Sequence, residues 1–124
     1  MPMLNAAFYI LLIAVLVGSL LAVMHFAKTG DKLPPWPLAA VHSAFALGGF
    51  GLLLLALQGP PRGVDQGTAA FGSIAAALFV MAALFGGGLL AGRLRKRPPG
   101  STLIGLHAMI AITGFVILMA YVFS

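Results

Sequence analysis

With 124 residues, 61% of them hydrophobic and 7% charged, and a mean hydropathy of +1.10, the chain lies far from soluble globular composition, in which about a quarter of residues are charged. The absence of cysteine excludes disulfides, thiolate ligands and iron–sulfur clusters. The net charge of +5 does not indicate nucleic acid, because the basic residues stand in loops beside apolar runs, not on a soluble face.

Four apolar runs, about 4–27, 36–58, 68–92 and 101–123, each hold the roughly 20 residues that cross a hydrocarbon core of about 30 Å. They predict an all-α membrane protein, one four-helix transmembrane domain over 1–124 in contact with lipid. The first run has no basic n-region and no A-x-A site, so it is expected to be a retained helix and not a signal peptide. It carries Gly18 and, near its end, His25. The loop KTGDKLPPW at 28–36 leads into the second helix, which starts with Pro37 in its first turn and with Trp36 in the interfacial belt.

The second run breaks at Gly59-Pro60-Pro61, and the small polar loop after it holds no catalytic constellation. The third is rich in Ala and Gly and includes Gly86-Gly87-Gly88, residues that let a neighbouring helix or a ligand approach the backbone. Lys28, Lys32, Arg93, Arg95, Lys96 and Arg97 all fall in the first and third loops, and Arg62 alone in the second. Positive-inside counting places loops one and three in the cytoplasm and both termini outside. Such juxtamembrane cations also attract anionic lipid.

The fourth run repeats the second. HSAFALGGF at His42–Phe50 recurs as HAMIAITGF at His107–Phe115 with a constant offset of 65, and the match extends to Leu38/Leu103, Pro34/Pro99 and Lys32/Arg97. A weaker echo, GSLLA at Gly18–Ala22 against GGLLA at Gly87–Ala91, links the first and third runs with an offset of 69. A duplicated two-helix unit is expected, with its copies related by a pseudo-two-fold axis along the membrane normal, the parallel kind. Helices two and four should face each other across that axis.

On a helix, positions i, i+4 and i+7 share one narrow stripe. His42, Ala46 and Gly49 form one such stripe and His107, Ala111 and Gly114 the other. A polar ring at one end of a groove with small side chains suits a flat apolar molecule held by its edge or its metal. Both histidines sit about seven residues inside their helices, about 10 Å along the axis, and an ionisable residue at that depth is costly enough to mark a functional site. The bland alternative for each is an interhelical hydrogen bond. Zinc and copper are poorly served: the chain has no Glu and no Cys, and its two Asp lie in loops. Haem asks for only two protein ligands and a flat slot. Without Cys it would be held non-covalently, as haem b. Arg93, Arg95, Lys32 and Lys28 stand at the rim where propionates would need cations, though topology alone also accounts for them. His25 has three readings: a propionate contact, a proton shuttle or quinone-site residue, and an interfacial histidine without a role.

Paired histidines on four apolar helices resemble the small b-type membrane cytochromes, the broad cytochrome b561-like group. The resemblance rests on His42, His107 and their small-residue stripes and covers helices two and four. It implies one-electron transfer through one bis-His haem b, with a quinone or a redox protein as partner; many members bind two haems, whereas the outer half here has no His. Two rival functions stand beside it. One is a haem-free anchor or assembly subunit that docks a larger redox complex through its basic loops. The other is a small transporter, against which stands the absence of any intramembrane carboxylate or Lys.

Overall fold

A computed structural model describes residues 1–27, 34–98 and 100–124. It consists of four helices, α1 (Pro2–Ala27), α2 (Trp36–Ala56), α3 (Phe71–Leu94) and α4 (Ser101–Val122), with no strand among the described residues. All four are long and apolar enough to cross a membrane. In lipid this follows from the backbone: a helix satisfies its own N–H and C=O groups where no water can.

The ends depart slightly from the sequence boundaries, each for a local reason. α2 starts at Trp36 with a proline in its first turn, a position whose N–H would have no helical partner anyway. α3 starts at Phe71 and not at 68, because Thr68 belongs to the preceding loop, where its N–H donates to Gly63 O at 2.9 Å. Its other end runs past Arg93. There Lys96 N–H donates to Arg93 O and Arg97 N–H to Gly92 O, the paired bonds of a Schellman cap, and Lys96 takes the left-handed conformation (φ 54°) usually given to glycine.

α1 packs along α2 and α3 along α4; α1 and α4 touch less, and α2 and α3 hardly at all. No Cα of α2 comes within 8 Å of α4, nor of α1 within 8 Å of α3, so these pairs stand diagonally across the bundle. The core gathers at the end that carries the termini. Leu4, Leu53 and Leu118 are fully buried there, and Phe8 stacks on Phe115 at 5.2 Å between ring centroids.

Buried positions on α1 are Leu4, Ala7, Phe8, Leu11 and Ala14; on α3 they are Gly72, Ala75, Ala76, Phe79 and Ala82, a constant difference of 68. Gly49, Leu53 and Ala56 on α2 match Gly114, Leu118 and Tyr121 on α4 at 65. The register between α1 and α3 is thus 68 and not the 69 of the GSLLA echo. Gly18 corresponds to Gly86, and His25 to Arg93. Within the spans, the hydroxyls of Ser19, Ser43 and Thr113 donate to carbonyls four residues back in their own helices.

Candidate functional site

His42 and His107 reach from α2 and α4 to the neighbouring helix of their own pair. The Nδ1 of His42 donates to Ala14 O on α1 at 2.8 Å, and the Nδ1 of His107 donates to Ala82 O on α3 at 2.8 Å. A carbonyl oxygen can only accept, so the ring hydrogen sits on Nδ1 in both and the lone pair on Nε2. Ala14 and Ala82 are again 68 apart.

These carbonyls are reachable for a reason that lies four residues on. A helical side chain leans back over the turn before it, so residues 18 and 86 would ordinarily cover the carbonyls of 14 and 82. Both are glycine. A Cβ on Gly18 would stand 2.7 Å from Cε1 of His42, and one on Gly86 would stand 3.0 Å from Cε1 of His107. The glycines therefore seat the imidazoles on the backbone.

The two half-buried rings then approach each other, 6.0 Å apart between centroids with planes crossed at 88°. With metal–nitrogen bonds of about 2 Å and about 1.1 Å from nitrogen to ring centre, two imidazoles on opposite sides of one metal would have centroids about 6.3 Å apart. The observed spacing lies within a few tenths of an ångström of that. Among the described residues neither Nε2 takes a hydrogen bond, and no group of three or more His, Asp or Glu comes together. Among the described residues, no third such side chain joins the pair.

Other expected site residues are placed differently. Ala46 and Ala111 are half-buried one turn beyond their histidines. Gly49 and Gly114, expected to line an open slot, are buried against the neighbouring helix of their own pair: a Cβ on Gly49 would lie 2.8 Å from Cγ of Leu11, and one on Gly114 would lie 3.2 Å from Cβ of Leu78. They bring the helices of each pair together. Of the Gly86–Gly88 run only Gly86 is tight; a Cβ on Gly87 would meet nothing within 4 Å. Arg93 donates from Nη2 to Pro34 O at 2.6 Å and lies over the Trp36 ring at 5.1 Å, which ties the end of α3 to the start of α2. Lys32, with Lys28 and Pro99, lies outside the described residues. His25 meets Ser101 Oγ at 3.4 Å through Nε2.

Ala14, Gly18 and Ala82 were not singled out from the sequence. The signal that would have found them is the 68 register, which brings the lone glycine of α1 level with the first glycine of the Gly86 run. No family model, no curated protein and no solved structure matches the chain.

Proposed function

We propose that the chain is a membrane b-type cytochrome in which His42 and His107 hold one non-covalent haem b for one-electron transfer. The observation that carries this reading is the hydrogen-bonding state of the pair. Each imidazole spends its only N–H on a backbone carbonyl and keeps its Nε2 lone pair, with the rings 6.0 Å apart. An N–H held by a backbone carbonyl is the usual second-sphere arrangement of a metal-bound histidine, since it fixes the tautomer and the ring orientation. Interhelical hydrogen bonding alone explains Nδ1 and leaves the Nε2 lone pair of both half-buried rings uncommitted.

The residues present fit the group. Two nitrogen ligands from diagonal helices leave the other positions of an octahedral metal to a macrocycle. When bound, the group supplies one-electron exchange at its edge. His42 and His107 would both hold the metal, which would disfavour direct oxygen binding. The reading extends to a quinone or a docked redox protein as partner, to a duplicated two-helix unit about a pseudo-two-fold axis, and to an orientation with the histidine end cytoplasmic and both termini outside, as the basic loops favour.

An absorption spectrum of the purified protein before and after dithionite tests it. A low-spin bis-imidazole spectrum is expected, kept in His25→Ala and lost in His42→Ala and in His107→Ala. An unchanged low-spin spectrum in the double His42→Ala, His107→Ala variant would overturn the assignment. A reporter fused after Ser124 checks orientation: activity only in the cytoplasm contradicts the termini-outside topology.

A further inference from the structure

The mouth of the bundle at the histidine end carries two side chains with N–H donors at corresponding positions. His25 is in the last turn of α1 and Arg93 in the last turn of α3, 68 apart, the same register that relates Ala14 to Ala82 and Gly18 to Gly86. Each stands seven residues beyond the glycine that seats an imidazole. Seven residues are two turns, about 10 Å along the helix on nearly the same face. Each also reaches to the neighbouring helix of the other pair: His25 meets Ser101, the first residue of α4, and Arg93 lies over Trp36, the first residue of α2. Both are half-buried.

Neither has exhausted its donors. Arg93 commits one Nη2 hydrogen to Pro34 O out of five N–H groups, and the Nδ1 of His25 takes no hydrogen bond among the described residues. Two N–H donors, the Arg93 guanidinium and the His25 ring, thus stand on opposite sides of the mouth, two turns from the imidazole seats and on the α1–α3 diagonal.

We infer that His25 and Arg93 are paired anchors for the two carboxylates on one edge of a flat macrocycle whose metal is held by His42 and His107. This rests on the two-imidazole reading above and adds the orientation of the ligand. The acid edge faces the mouth, one carboxylate toward α1 and the other toward α3. Two turns of helix correspond to the reach from a central metal to the end of a two-carbon arm. A carboxylate near a span needs a cation and hydrogen-bond donors; the Arg93 guanidinium supplies both and the His25 ring a second donor. The pseudo-two-fold relation of the anchors then matches the paired arms of the ligand edge.

The experiment compares haemin with its dimethyl ester, which keeps the metal and ring but has no carboxylate. Dissociation constants are measured by spectral titration of the detergent-solubilised protein and of His25→Ala, Arg93→Gln and the double variant. One charge-assisted contact is worth about tenfold in affinity. Wild type should prefer the diacid about a hundredfold, each single variant about tenfold, and the double variant not at all, while diester affinity and its low-spin spectrum stay constant. Arg93→Lys, which keeps the cation, should retain most of the preference. Far-UV circular dichroism with the diester spectrum shows that the variants fold. A double variant that prefers the diacid as strongly as wild type overturns the anchors and leaves the two-imidazole reading intact. Haemin bound without a low-spin spectrum in wild type overturns both.

Discussion

The two ends of the bundle are held together by different physics. At the end with the termini, Leu4, Leu53 and Leu118 are fully buried and Phe8 contacts Phe115 and Phe123 at 5.2 and 5.6 Å. There Tyr121 Oη accepts from Arg62 N–H at 3.2 Å, and Arg62 Nη2 donates to Ser124 O. At the histidine end the buried side chains include Ala14, Ala82 and Ile104, and the crossings between helices are made by imidazole, guanidinium and backbone carbonyl. In lipid there is no hydrophobic drive between helices, so association rests on van der Waals packing and hydrogen bonds. The terminal end supplies the packing and closes on itself. The histidine end has smaller buried side chains and relies on polar crossings between helices.

That contrast can be broken most severely at the glycine seats. In Gly18→Leu or Gly86→Leu, the added side chain should displace the imidazole from its carbonyl and abolish low-spin haem binding, with helix content by circular dichroism unchanged. Alanine grades the effect. Gly18→Ala, whose Cβ would lie 2.7 Å from His42, should weaken haem binding more than Gly86→Ala at 3.0 Å from His107; the reverse order in a titration would show that the two seats are not equally rigid.

At the other end the expected readout changes from ligand to stability. Leu53→Ala removes a fully buried side chain and should lose about 1–3 kcal/mol, at or below the usual range for such cavities because lipid replaces water as the alternative environment. Thermal unfolding in detergent measures it, and the low-spin spectrum should not move. Phe8→Leu removes one partner of the Phe115 stack and should lose about 0.5–1.5 kcal/mol. The smallest change is a gain: Lys96→Gly relieves a left-handed non-glycine cap and should stabilise by up to about 1 kcal/mol.

Much of this was legible in the residues. Four spans could be delimited because each is bounded by charges, Pro or Gly, and His42 and His107 could be paired because their surroundings recur at a fixed offset. The partners of the pair were not legible. In a soluble helix the apolar stripe shows which face is buried, but here nearly every position of α1 is apolar, so the face of Gly18 is silent. For the same reason the GSLLA echo suggested 69, where packing sets 68. Gly49 and Gly114 illustrate the matching error: smallness shows that something comes close, but not whether it is a ligand or Leu11 and Leu78 of the next helix.

The sequence by itself determined that the chain is helical and membrane-spanning, since length and hydropathy leave the backbone no other way to satisfy its hydrogen bonds in lipid. It also determined that two imidazoles stand at one depth, since spacing along a helix converts directly into height. Only the tertiary structure decided which carbonyls lock those imidazoles, which glycines make room for them and which side chains stand two turns beyond. Each of these depends on the rotation and register of one helix against another. In an all-apolar span that register is set by the fit of side chains across the contact, which no single helix carries.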